Sequence, residues 1–186
     1  MNKTADQPAS AQVESQRRRE KIRHALTEHE SALVRYARHF VKDLELARDV
    51  VQDTFLKLCR QDLIPGDGEE HDGDRLAAWL YRVCRNRAID VSRKEGRMKS
   101  ATPASLETTQ DTGTTPGDSA VHKETVQRVA RQVSELPERQ QEILKLKFEG
   151  GLTYAEIADV TGLTSTNVGF ILHTAISKLR SRAREL

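Results

Sequence analysis

Asp49, Gln52 and Asp53, two carboxylates and an amide at helical spacing, are the first residues in this chain with chemical potential. Paired carboxylates can exchange protons with a substrate when a nucleophile or histidine shares their site. No such partner and no glycine-rich phosphate loop accompanies them here. A protein-contact edge or a plain solvated face therefore accounts for them better than catalysis. The six histidines have no metal-ligand spacing. Asp67, Glu69 and Asp72 imitate a calcium loop, but its twelfth position is Ala78 rather than a bidentate glutamate. The expectation is a protein without catalytic residues, metal or cofactor.

A second grouping is basic. Arg82, Arg85, Arg87, Arg93, Lys94, Arg97 and Lys99 occupy one helical stretch with Trp79 and Tyr81, and Asn86 and Asp90 lie among them. Cations that track phosphates, interleaved with rings that stack on bases, suit single-stranded DNA. The alternative is a solvated basic face over a tryptophan that belongs to the core.

The third grouping is the most specific. Thr153, Tyr154, Ala155 and Glu156 form a T-x-x-E capping box that opens a short helix. Gly162 turns the chain, and a last helix runs from Thr164 or Ser165 to about Arg184. Ala158 is the small residue at the crossing, and Ile157, Leu163, Val168 and Ile171 lock the pair. This is the pattern of a helix-turn-helix, whose second helix enters the major groove by its N-terminal half. An ordinary helical hairpin is the bland alternative, but the basic end with Lys178, Arg180, Arg182 and Arg184 favours DNA. Outward positions are Ser165, Thr166, Asn167, Gly169, Phe170 and His173. None is Arg or Lys, so the commonest guanine contact is missing there. Asn167 suits adenine. Phe170 suits either a thymine methyl or packing on a neighbouring domain.

These groupings need scaffolding, and the rest of the 186 residues supplies it. Apolar residues at helical spacing (Ile22, Leu26, His29, Leu33, Ala37, Phe40) predict a first helix. Leu46, Ala47, Val50, Val51, Phe55, Leu58 and Cys59 predict a second, and Leu76, Trp79, Leu80, Val83 and Cys84 a third. Residues 67–74 read as a solvated loop and residues 1–21 as a disordered tail. Residues 98–122, rich in Thr, Pro, Gly and Ser, read as a flexible linker. Beyond them Val126, Val129 and Val133 predict another helix. Pro137 then opens one carrying Ile143, Leu144, Leu146 and Phe148, which stops at Gly150 and Gly151. The expected fold is all-α, with one helical domain over 22–97 and a helix-turn-helix domain over 123–186.

The net charge of +2 excludes a histone-like polycation. It conceals a strong segregation, however. Residues 42–74 carry 4 basic and 10 acidic side chains, whereas 75–99 carry 8 basic and 2 acidic. No apolar run could cross a membrane. Cys59 and Cys84 build no disulfide framework, and residues 1–16 lack an apolar signal core. Both features suit a cytoplasmic protein.

With these motifs in place, the chain resembles the sigma-70 family of bacterial RNA polymerase sigma factors, of the extracytoplasmic-function (ECF) type. Residues 46–58 resemble the family's polymerase-docking helix, 78–90 its promoter-melting helix, and 136–180 its promoter-reading domain. The resemblance implies a factor that binds core RNA polymerase and directs promoter recognition, melting and initiation. It implies docking by Asp49, Gln52, Asp53 and Phe55 on the clamp helices of the largest subunit, with a further contact at the flap. It assigns the melted minus-ten-type strand to Trp79, Arg82, Arg85, Asn86, Arg87, Asp90, Arg93, Lys94 and Arg97. It assigns the duplex minus-thirty-five-type element to Thr153, Tyr154, Glu156, Ser165, Thr166, Asn167, Phe170, His173, Lys178 and Arg180. An anti-sigma protein is a further implied partner. One departure stands out: Gly169 and Ile171 occupy positions where the family usually carries Lys and Arg. Promoter preference then falls to Thr166, Asn167 and Phe170, to DNA shape, or to the Tyr154/Glu156 end of the preceding helix. Two other functions fit part of the pattern: a helix-turn-helix regulator acting outside polymerase, and a sigma-like interaction protein without promoter readout.

Overall fold

The computed structural model describes residues 7–65, 72–99 and 120–184. Seven helices and no strand occur among them: α1 (Gln7–Ala37), α2 (Leu44–Cys59), α3 (Asp72–Lys99), α4 (Ala120–Ser134), α5 (Glu138–Phe148), α6 (Tyr154–Thr161) and α7 (Ser165–Arg184). The chain divides into two compact units, residues 1–92 and 93–186. Most of the 67–74 loop and nearly all of the 98–122 linker lie outside the described residues.

In the first unit, α2 starts where Asp43 accepts a hydrogen bond from the Leu46 amide at 3.0 Å, an N-cap that satisfies one orphan donor. Its buried residues Ala47, Val50, Val51, Thr54, Phe55 and Leu58 recur at helical spacing on one face. They meet Ala25, Leu33, Tyr36 and Ala37 of α1 and Ala77, Leu80, Tyr81, Cys84 and Ala88 of α3 in one buried core. Each large apolar side chain removed from water there contributes about 1.5–3 kcal/mol. The rings of Tyr36 and Tyr81 pack edge to face at 5.1 Å, joining α1 to α3. Cys84 is buried, and its thiol donates weakly to the Leu33 carbonyl at 3.9 Å. Burial pushes that thiol up to about 12, against a smaller opposing effect of the Thr54 hydroxyl. Cys59, at the end of α2, is exposed. Burial also holds His29 on α1 below the ordinary histidine value, despite the raising effect of Glu28.

Helix occupies residues 98–99 and 120–122, at the two ends of the expected linker, and two further boundaries depart from the sequence expectation. Residues 7–21 are helical rather than the expected disordered tail, and residues 1–6 of that tail lie outside the described residues. Residues 7–21 are mostly good helix formers, with Pro8 in the first turn where its missing N–H costs little. They lack an apolar stripe because most of the side chains described there face solvent. One of the three arginines ties the segment down. Arg18 donates to the carbonyls of Asp62 at 2.7 Å, Cys59 at 3.2 Å and Leu58 at 3.4 Å, and also to that of Gln61. It thereby serves carbonyls at and just beyond the end of α2, of which that of Leu58 also accepts from the Gln61 amide at 3.2 Å. Similarly, Asp72, Gly73 and Asp74 open α3 rather than close a loop, in keeping with the preference of acidic residues for a helix N-terminus.

Arg18→Ala is expected to destabilise the first unit by about 1–2 kcal/mol through loss of these charge-assisted bonds. Arg17→Ala and Arg19→Ala, at exposed positions, are expected to stay within about 0.5 kcal/mol of the parent. Urea titrations of the three variants check this.

The second unit packs α4, α5 and α6 against α7. Ile143, Leu146, Leu152, Ile157, Val168, Leu172 and Ala175 form its core. Pro137 caps α5 one residue before the helix begins, rather than occupying its first turn. Gly162, at φ 71°, is the left-handed cap that ends α6, and Gly151, at φ 69°, takes the same glycine-favouring conformation two residues past Glu149, the C-cap of α5. Arg139 bridges Glu142, itself buried, and the Thr161 carbonyl at 3.3 Å, linking α5 to the end of α6. Arg182 reaches the Gln132 carbonyl and Glu135 at 3.3 and 3.2 Å, fastening α4 to α7. Phe148 ends α5 on the outside at 68 % exposure, contrary to the core role its place in the apolar pattern implies.

Candidate nucleic-acid interface

On α2, Asp49 and Gln52 are exposed and Asp53 is half-buried. Phe55, only 7 % exposed, points the other way into the core. It holds the helix that carries the acidic edge and offers almost no surface of its own. The structure therefore separates Phe55 from the three polar residues with which the family resemblance groups it, and places it in the buried stripe that the apolar spacing predicts.

Asp53 does not stand alone. Its Oδ2 accepts a bond from Arg87 Nε of α3 at 2.7 Å, with the two side chains 44 % and 42 % exposed. An aspartate assigned to protein docking and an arginine assigned to DNA thus form a single ion pair. Residues 34 positions apart show this pairing only once α2 and α3 are packed. A half-exposed pair of this kind is worth at most about 1 kcal/mol to the fold.

Along α3, Arg82, Asn86, Asp90, Arg93 and Lys94 are exposed, while Arg85 and Arg87 are intermediate. Trp79 is half-buried, between the core and the surface roles considered for it. Arg97 lies within α3, but its side chain is outside the described residues. The helix thus buries Leu80, Tyr81, Cys84 and Ala88 and turns a row of cations outward.

In the second unit the capping box forms as the spacing predicts. Thr153 Oγ1 accepts from the Glu156 amide at 3.3 Å, and Glu156 accepts from the Thr153 amide at 2.7 Å. These bonds commit Thr153 and Glu156 to starting α6. Ser165, Thr166, Asn167, Phe170, His173, Lys178 and Arg180 are all exposed on α7. Ile157 and Val168 are fully buried at the crossing, and Leu172 and Ala175 do more of the locking than the half-buried Leu163 and Ile171. Tyr154, at the start of α6, is 46 % exposed, with Lys147 Nζ 5.6 Å from its ring centre. No cluster of His, Cys, Asp or Glu able to hold a metal occurs among the described residues.

A helical unit that pairs an acidic edge with a basic helix is thus followed by a helix-turn-helix unit. Comparison with known families specifies what kind of protein this is. Sigma-70 region 2 matches residues 25–98, and Sigma-70 region 4 matches residues 127–179. The chain belongs to the sigma-70 family of RNA polymerase sigma factors, in its ECF group. It is 27 % identical over 159 residues to the ECF RNA polymerase sigma factor SigL of Mycobacterium tuberculosis, covering 86 % of each chain. It is 30 % identical over 105 residues to the ECF RNA polymerase sigma factor RpoE of Cereibacter sphaeroides, covering 56 % of each. Its fold is similar to that of the sigma factor RpoE from Bartonella quintana, solved in complex with the anti-sigma factor NepR. That match has a TM-score of 0.66 and 22 % identity, and covers 88 % of this chain and 97 % of the other.

Proposed function

We propose that the two units divide the work of a sigma factor. As a member of the sigma-70 family, the chain binds core RNA polymerase and directs transcription initiation at promoter DNA. In our reading, Asp49, Gln52 and Asp53 dock on the polymerase, and the cationic row of α3 holds the opened strand. The exposed N-terminal half of α7 reads the upstream duplex. The observation that carries this division is the Asp53–Arg87 pair, which sets an acidic edge and a basic helix side by side in one unit. Opposite charges so close suit two different partners, a basic protein surface and a polyanion. The chain performs no chemistry itself and works in the cytoplasm. No helix among the described residues is long and apolar enough to cross a membrane. An anti-sigma protein is a further proposed partner, supported by the Bartonella complex.

Core polymerase reconstituted with this chain is expected to initiate at specific promoters in a genomic template pool, read by run-off transcription. Folded protein that supports no initiation at any promoter would overturn the proposal. Tight duplex binding by the chain alone, without polymerase capture, would instead favour a regulator acting outside polymerase.

A further inference from the structure

Gly169 is the fifth residue of α7, inside the helix, where glycine costs about 1 kcal/mol relative to alanine. Its φ is not positive, so the backbone does not require it. What its missing side chain permits is an approach. A Cβ placed there would lie 3.5 and 3.7 Å from the ring edge of Tyr154. A methyl there would be in ordinary van der Waals contact with the ring, and a longer side chain directed the same way would cover it. The next residue, Phe170, is 72 % exposed. The Gly169 position thus lies against the Tyr154 ring and is followed along the chain by an outward phenylalanine, in the half of α7 that carries no exposed Arg or Lys.

We propose that Tyr154, Gly169 and Phe170 form one apolar base-reading edge that takes the 5-methyl groups of thymine in duplex DNA. The inference rests on the reading of α7 as the duplex-reading helix and specifies what it reads. Apolar side chains discriminate bases in the major groove chiefly through that methyl, whereas guanine recognition needs a cation that this part of α7 lacks. The surrounding charge fits the same occupant. Lys178 and Arg180 are exposed further along α7 and suited to phosphates, whereas Lys147, over the Tyr154 ring, is half-buried and donates to the Leu152 carbonyl at 3.0 Å. Tyr154 acts as a positioning residue for this edge, and Phe170 makes the methyl contact.

The test uses polymerase reconstituted with the full chain and a random duplex library placed upstream of a fixed start region. The enriched element is expected to contain thymine at one or two positions where deoxyuridine, which lacks only the methyl, weakens binding about fourfold per methyl. Phe170→Ala is expected to melt like the parent and to bind thymine and deoxyuridine duplexes equally. Gly169→Lys is expected to lose the thymine preference. An enriched element indifferent to deoxyuridine would overturn the thymine edge while leaving duplex reading by α7 intact. So would deoxyuridine sensitivity that survives Phe170→Ala. Failure to enrich any upstream element would overturn both.

Discussion

Reversing Asp49 and Asp53 together to Arg is expected to weaken capture of core RNA polymerase by more than about a hundredfold while leaving a folded protein. Truncating or reversing a charge that is desolvated at an interface costs about 2–5 kcal/mol, mostly through faster dissociation. Two such changes on one helix edge exceed what the other contacts can offset. The fold should tolerate them, because Asp49 is exposed and Asp53 is half-exposed. The introduced Arg at 53 would face Arg87, a repulsion that solvent screens to about 1 kcal/mol. Asp53→Asn, which removes the charge without adding one, separates that repulsion from the docking loss. Glu30→Arg, at an exposed site on α1, serves as the neutral control. Polymerase titrations of fluorescently labelled variants, read beside their melting curves, decide the matter. A change below threefold in the double variant would remove the docking role from this edge.

The second large effect belongs to α3. Arg85→Ala combined with Arg87→Ala is expected to reduce open-complex formation about tenfold or more at low salt. The deficit narrows as salt rises. Each phosphate neutralised on a single strand contributes about −0.7 to the slope of log affinity against log salt concentration, so losing two flattens it by about 1.4. The parent, which releases more counterions, loses more affinity on salt addition and approaches the variant. Potassium permanganate footprinting of open complexes across a salt series measures both quantities. A deficit independent of salt would mean that the arginines act through the fold. Because Arg87 pairs with Asp53, its removal also frees a carboxylate beside the strand path. A double-mutant cycle with Asp53→Ala isolates that contribution.

How much of this was legible in the sequence depended on the range of each interaction. Local signals were readable. The Thr153–Glu156 capping box, the left-handed turn at Gly162 and the buried faces of α2 and α3 follow from neighbours within four or five positions. The all-α class follows with them. Signals that span the chain were not. Arg18 appears in sequence as one of three arginines in a polar tail, and only the packing of α1 on α2 brings it to carbonyls more than forty positions away. Helicity in residues 7–21 left no apolar stripe to read, because a helix extended from a packed segment need not bury a face of its own. The Asp53–Arg87 contact is hidden for the same reason as that of Arg18. Apolarity is a partial guide to burial as well. Phe55 belongs to the apolar stripe of α2 and is core as that stripe expects, although the family resemblance sets it on the docking edge, whereas Phe148 belongs to the apolar pattern of α5 and is surface. Both lie on strongly patterned helices, but a residue near the margin of an apolar stripe is assigned by what packs there. For Gly169, the sequence displays the absence of a side chain, and only the structure reveals the Tyr154 ring against that position.

The two thiols of the first unit carry a consequence of a different kind. Cys59 meets solvent, while Cys84 is buried beside Thr54 and held protonated by its surroundings. Thiolate is the form that reacts, so an alkylating probe takes one equivalent from the intact unit and a second only when the α1–α3 seam parts. The chain thus contains its own chemical clock. The rate at which the second equivalent is consumed reports how often this core opens, and a partner that clamps the unit shut slows it.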